Sequence, residues 1–149
     1  MTNIIQEFQS EIKKIESLTC KEIIGGSGTG SIINVKIGIP NSSIGYDLFI
    51  QCVWRLDSPE KVVCGAWSNN KKGQSMLRGL NKIVGQKIIS VQLSQPSYSL
   101  SVCFENNYTL LIFCDQIGDD PALGDNYCFF TPEYVYSVEL NCTIQKEDL

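Results

Sequence analysis

Segment 23–38, which reads IIGGSGTGSIINVKIG, resembles the glycine-rich loops that hold phosphate groups in nucleotide-binding proteins. A Walker A loop needs a lysine directly after its last glycine. Gly25 and Gly30 have the required spacing, but Ser31 occupies the lysine position. Ser31 also stands where a dinucleotide-binding pattern begun at Gly26 needs its final glycine. Both motifs require a helix to follow, whereas SIINVKIG favours a strand, so the segment is predicted to be a turn leading into a strand.

The same loop is an alternative site for a small ligand, because glycines allow a backbone to approach a bound molecule closely. An anionic ligand such as a nucleotide would need cations nearby. Lys36 follows in the same segment, and Arg55 lies within a strand-like pattern. The alternative ligand-binding residues are therefore Gly26, Gly28, Gly30, Lys36 and Arg55.

Segment 115–126, DQIGDDPALGDN, concentrates aspartates. Their spacing does not match an EF-hand, which alternates oxygen ligands around a central glycine and ends in a glutamate. The segment is either a solvated loop or an acidic patch that meets lysines and arginines of a protein partner. On the second interpretation the partner-binding residues are Asp119, Asp120 and Asp125, with Trp67 and Tyr127 as aromatic anchors.

The chain contains seven cysteines and no histidine, and no two cysteines form a CxxC pair. Most of the cysteines fall inside apolar runs such as FIQCVW, which predicts reduced core thiols and no metal site. No base, nucleophile and orienting group can be identified by spacing. We therefore expect a protein that is not an enzyme and needs no cofactor.

The length of 149 residues suits one domain, and the net charge of −4 argues against nucleic-acid binding, which needs a surplus of lysine and arginine. No apolar run approaches the roughly 18–20 residues of a membrane span, so no membrane partner is expected. The N-terminal segment lacks the apolar core of a signal peptide. These features predict a cytoplasmic protein.

Apolar residues recur at helical spacing over about residues 2–18, which predicts an amphipathic helix capped by Thr2. A second helix is predicted at 74–84, where Gly79 costs about 1 kcal/mol of helix propensity. Eight segments rich in valine, isoleucine, tyrosine and phenylalanine read as strands. The predicted fold is a single α+β domain, 1–149, with a mainly antiparallel twisted sheet of six to eight strands.

The clearest hairpin joins YSLSVCFE to YTLLIFCD through Asn106-Asn107, a pair that tolerates a two-residue type I′ turn. That turn would place Phe104 opposite Thr109 and Leu100 opposite Phe113. The predicted core face then gathers Leu100, Val102, Phe104, Leu111 and Phe113. The other face is half apolar, which leaves open whether a second copy of the chain covers it as a homodimer.

Three segments carry a resemblance to a known group of proteins: Gly85–Leu93, the turn Phe104-Glu105-Asn106, and Asn126–Pro132. With the order of elements from about residue 26 to 138, they are similar to small bacterial proteins associated with the immunity proteins of polymorphic toxin and contact-dependent inhibition systems. Asn107 departs from the glycine expected in the hairpin. The resemblance implies a helix-and-sheet scaffold that binds another molecule, and it carries over no active-site residues.

The leading functional expectation is thus a non-enzymatic inhibitor that binds a cognate protein toxin or effector through acidic side chains. The alternative is a protein that binds or sequesters a small nucleotide-type ligand at the glycine loop. A third hypothesis, a hydrolase that uses a carboxylate or a cysteine, predicts turnover that one substitution abolishes.

Overall fold

The computed structural model describes residues 3–26 and 28–149. Within them the chain forms two α-helices, eleven β-strands and one short 3-10 turn, Leu140–Cys142. The helices are α1 Ile4–Lys13 and α2 Ser75–Leu80, and the strands are β1 Thr19–Ile24, β2 Ile33–Gly38, β3 Gly45–Ile50, β4 Val53–Asp57, β5 Val62–Gly65, β6 Ile88–Leu93, β7 Leu100–Phe104, β8 Thr109–Phe113, β9 Tyr127–Phe130, β10 Tyr134–Val138 and β11 Ile144–Asp148.

The strands form two antiparallel sheets, a six-stranded sheet in the order β1-β2-β3-β9-β10-β11 and a five-stranded sheet in the order β5-β4-β8-β7-β6. The predicted α+β class, with antiparallel pairing and two helices, is confirmed. The strand count is higher than predicted for three reasons. β1 was not predicted because its strand pattern is weak, and the charged β11 was not predicted for the same reason. In addition, segment 47–56 forms two strands instead of one.

The break in segment 47–56 moves the chain from one sheet to the other. The backbone N–H groups of Gln51 and Cys52 both donate to the carbonyl oxygen of Asn126, at 3.0 and 2.9 Å. The fully buried Asn126 side chain accepts from the N–H of Gln116 at 2.8 Å and donates to the carbonyl of Glu139 at 3.0 Å. This asparagine thus satisfies the backbone groups of three separate segments at the corner.

Inward-facing side chains of both sheets belong to one hydrophobic core, and α1 covers part of it. Phe8 of α1 lies 6.4 Å from the ring of Tyr127, 6.3 Å from Phe129 and 5.5 Å from Tyr136, measured between ring centroids. The predicted packing of the N-terminal helix on a sheet is therefore confirmed. An isolated bridge between Thr19 and Lys87 also joins the beginnings of β1 and β6, one strand from each sheet.

The N-terminal helix is shorter than predicted. Thr2, the predicted cap, lies outside the described residues, and the Asn3 side chain accepts the N–H of Ile5 at 2.8 Å. The helix ends at Lys13, and four residues later Ser17 takes a φ of 77° and donates its N–H to the carbonyl of Ile88. The second helix is also shorter than the predicted 74–84, because residues 81–85 form turns in place of further α-helix.

The β7–β8 hairpin has a register one residue away from the prediction. Its loop contains three residues, 105–107, closed by hydrogen bonds between Phe104 and both Asn107 and Tyr108. Asn107 alone takes the left-handed conformation, with φ 68°, as in a type I turn followed by a bulge. Cys103 therefore faces Thr109, and Leu100 faces Ile112.

This shift exchanges the two faces of β8, because side chains alternate along a strand. Leu110 and Ile112 are buried in the core, whereas the predicted core residues Leu111 and Phe113 point outward. Leu111 is half-buried and Phe113 is 38% exposed. Among the residues that the structure describes, no helix is long and apolar enough to cross a membrane.

Candidate functional site

The outer face of the five-stranded sheet carries a group of apolar side chains around an arginine. Val53 faces Phe113 and Arg55 faces Leu111 across the β4–β8 pair. The residues that alternate with them, Trp54, Leu56, Leu110 and Ile112, are buried in the core. The side chains of Val53, Arg55, Leu111 and Phe113 therefore project to the opposite, outer face of the sheet. The term outer patch is used below for Val53, Arg55, Leu111 and Phe113 together with Trp67.

Arg55 lies across this patch. Its guanidinium carbon is 5.6 Å from the centre of the Phe113 ring, a cation–π distance. The Asp57 carboxylate accepts from its Nε and Nη2 at 2.9 and 3.0 Å, and this contact raises the pKa of Arg55. Solvent screens an exposed ion pair strongly, so Arg55 can exchange this partner at low cost.

Trp67 is the most exposed large apolar side chain in the described part of the chain, at 88%. The N–H of Ala66 donates to the carbonyl of Trp54 at 3.0 Å, so β5 still follows β4 just before Trp67. Trp67 therefore stands at the end of the sheet where β4 begins, near Val53. Trp54, by contrast, is buried and donates its indole N–H to the carbonyl of Ser31 at 2.7 Å, as expected of a core residue.

The acidic loop, residues 115–126, leaves β8 at the same end of the sheet. Asp115 anchors it there, because its Oδ1 accepts the N–H of Val53 at 3.1 Å. Asp119 and Asp120 are exposed, and Asp120 also accepts the N–H of Ala122 at 2.9 Å. Asp125 is half-buried beside the six-stranded sheet, with the Cys128 thiol 3.7 Å from its Oδ2. Two of the three predicted aspartates are thus fully available to a partner.

The prediction that Tyr127 is a surface anchor is wrong. Tyr127 is fully buried in the core, where its ring lies 6.4 Å from that of Phe8 in α1, and burial raises its pKa well above the ordinary value. Its hydroxyl donates to the carbonyl oxygen of Tyr98 at 2.7 Å. Residues 126–131 were predicted as a strand, but the sequence did not show which of its faces is buried; Tyr127 begins β9 on the face that lies in the core.

The glycine-rich loop joins β1 to β2, so the predicted turn before a strand is confirmed. Gly26, Gly28 and Gly30 take φ values of 125°, 100° and 63°. The Asn70 side chain donates to the carbonyls of Gly26 and Gly30 at 3.3 and 3.1 Å, so these two oxygens are already engaged within the chain.

The two cations proposed for an anionic ligand lie apart. Lys36 pairs with Asp47 at 3.2 Å on the six-stranded sheet, whereas Arg55 belongs to the outer patch of the other sheet. A groove of about 500 Å³ does run between β1 and α2, lined by Gly25 and Arg78 among others, but it includes neither Lys36 nor Arg55. The structure therefore does not assemble the alternative site in its predicted form.

No group of three or more cysteine, aspartate or glutamate side chains suited to a metal ion occurs in residues 3–26 and 28–149. The outer patch itself was not predicted, because the hairpin register placed Phe113 in the core. The signal available in the sequence was the triplet Glu105-Asn106-Asn107, which also fits a three-residue loop with asparagine at its left-handed position. No protein-family model, curated protein or solved structure matches this chain.

Proposed function

We propose that this chain is a non-enzymatic, cytoplasmic binding protein of the immunity type, which neutralises a cognate protein toxin or effector. The observation that carries the proposal is the outer patch, in which Trp67 is exposed at 88% and Arg55 lies over Phe113. Tryptophan and arginine are the residues most enriched among those that dominate protein-binding energies. Burying most of an indole removes roughly 150–250 Å² from water, a gross gain of about 4–6 kcal/mol.

The acidic loop would supply attraction to a basic partner. The chain carries a net charge of −4, and Asp119 and Asp120 are exposed in the loop that leaves β8 beside Val53. Charges at the rim of an interface act mainly on the rate of association and make it sensitive to salt. The outer patch would then hold the docked partner. The acidic loop would therefore affect mainly the association rate, and the outer patch mainly the dissociation rate.

The test begins with the partner, which native mass spectrometry of the protein purified from its host at low salt would identify. Association and dissociation rates are then measured over a series of salt concentrations. Replacing Asp119, Asp120 and Asp125 by serine should slow association and flatten its salt dependence. The Trp67→Ala variant should raise the dissociation rate by about 30-fold or more, because a central tryptophan contributes about 2 kcal/mol or more.

A matched control removes three negative charges elsewhere, through Glu133→Ser, Glu147→Ser and Glu60→Ser at exposed positions. This control should change the association rate much less than the loop variant does. Equal effects of the two triple variants, or an unchanged association rate across the salt series for the loop variant, would contradict the acidic-loop part of the proposal.

The alternative function is the binding of a nucleotide-type ligand. Its one structural support is the groove between β1 and α2, which Gly25 and Arg78 both line. A ligand bound there would raise the melting temperature, and the rise would grow with the logarithm of the ligand concentration once that concentration exceeds the dissociation constant. A panel of nucleotides that shifts the melting temperature of the wild type but not of Arg78→Ala would favour this alternative over the binding of a protein.

A further inference from the structure

Three of the seven cysteines lie together at the end of the five-stranded sheet from which the acidic loop departs. The pairing of β4 with β8 ends at Val53 and Phe113, and Cys52 and Cys114 adjoin that last pair, both buried and with their thiols hydrogen-bonded to each other. Asp115 holds the two strands together beyond that pair through its 3.1 Å hydrogen bond with the N–H of Val53. Opposed residues of antiparallel strands have Cα atoms about 4.5–5.5 Å apart, within the span of a disulfide.

Cys142 completes this group, which is called the thiol cluster below. Its sulfur lies 3.9 Å from the carbonyl oxygen of Cys114 and 3.9 Å from the Nδ2 of Asn126. Cys52 is 1% exposed and Cys114 7%, while Cys142 is half-buried, so the cluster reaches the surface on one side only.

The chemistry of Cys114 differs from that of the isolated buried cysteines. Hydrogen bonding from the Cys52 thiol lowers the pKa of Cys114, although burial opposes the shift, and the same contact raises the pKa of Cys52. At Cys20 and Cys64, burial raises the pKa to about 12 and about 11. A thiolate is the nucleophilic form of cysteine, which favours Cys114 as the attacking residue.

We propose that Cys52 and Cys114 form a reversible disulfide across the β4–β8 pair when the folded chain meets a hydroperoxide. The Cys114 thiolate attacks the peroxide, the O–O bond breaks, and a sulfenic acid forms. The other oxygen leaves as hydroxide or alkoxide and becomes water or alcohol by taking up the proton that the Cys114 thiol released. The Cys52 sulfur then attacks the sulfenic sulfur. The S–O bond breaks, the S–S bond forms, and the hydroxyl leaves as water with the Cys52 proton. The two thiols lose two electrons in total, which the peroxide receives.

The experiment treats folded wild-type protein with hydrogen peroxide, blocks the remaining thiols with an alkylating agent, and maps disulfides by mass spectrometry. Chymotrypsin cleaves after Phe113 and Tyr127, which separates Cys114 from Cys103, Cys128 and Cys142. We expect a peptide pair that joins Cys52 to Cys114, the loss of two of the seven reactive thiols, and full reversal by dithiothreitol.

Variants and a denatured sample serve as controls. Cys52→Ala and Cys114→Ala should each abolish the linked peptides, whereas Cys64→Ala, which removes an equally buried thiol outside the thiol cluster, should retain them. The wild-type map decides the question if a variant fails to fold. The proposal would be overturned if Cys114 were linked to Cys142 in place of Cys52, or if the protein were oxidised with neither disulfide formed. An equal yield of the Cys52–Cys114 disulfide from the chain unfolded in urea would also overturn it.

Discussion

Two large aromatic side chains, Trp67 and Tyr127, show how differently single residues contribute to this protein. Trp67 is 88% exposed and is the proposed anchor for a partner, whereas Tyr127 is fully buried and hydrogen-bonded to the carbonyl of Tyr98. Both residue types are common in interfaces and in cores, because each combines a large apolar ring with one polar group. Accessibility and the partner of the polar group distinguish the two roles here.

We expect Tyr127→Phe to lower the free energy of unfolding by about 1–2 kcal/mol, because the carbonyl of Tyr98 would lose its partner inside the protein. Trp67→Phe is the control and should change it by less than about 0.5 kcal/mol, as is usual at exposed positions. Urea denaturation followed by circular dichroism measures both. A Tyr127→Phe variant as stable as the wild type would show that water replaces the lost hydroxyl.

At the level of elements, α2 packs so closely on β5 that its last turn has no room for a side chain at Gly79. A Cβ atom added at Gly79 would lie 2.6 Å from the sulfur of Cys64 and 3.1 Å from Cγ1 of Val63. The glycine that lowers helix propensity therefore permits the contact between this helix and the sheet. Packing explains a residue that propensity alone would disfavour.

The Gly79→Ala substitution sets these two effects against each other. Helix propensity favours alanine by about 1 kcal/mol, but overpacking a close contact costs about 1–3 kcal/mol. We expect a net loss of stability of about 1 kcal/mol, measured by thermal and urea unfolding. Adding Cys64→Ala should recover part of the loss, since the nearest atom is then gone. A single Gly79→Ala variant more stable than the wild type would mean that β5 yields to the added methyl group.

On the scale of the whole molecule, the two sheets are joined by a shared core, by the corner at Gln51 and Cys52, and by the bridge between Thr19 and Lys87. Phe8 of α1 contacts aromatic residues of the six-stranded sheet. The side chain of Lys13 at the end of the same helix donates to the carbonyl of Val91 in the five-stranded sheet. Neither sheet therefore has a core separate from the other.

We expect the chain to unfold in one cooperative transition for this reason. In the Trp67→Phe variant the remaining tryptophan, Trp54, reports on the core of the five-stranded sheet by fluorescence. Its urea midpoint should coincide with that of the circular dichroism signal, which averages over both sheets. Midpoints that differ reproducibly would show that the sheets unfold as separate units.

Local patterns in the sequence were sufficient for the antiparallel α+β class, the amphipathic N-terminal helix, the turn at the glycine-rich loop and the contrast between Trp54 and Trp67. Each of these depends on periodicity or turn chemistry within about 15 residues. They were not sufficient for the division into two sheets, which depends on the distant Asn126 binding the corner at Gln51 and Cys52. One extra loop residue, Glu105, also exchanged the faces of β8 and brought Phe113 to the surface beside Arg55. Because side chains alternate along a strand, a shift of one residue moves every side chain of that strand to the other face. Long-range pairing determines which face is buried.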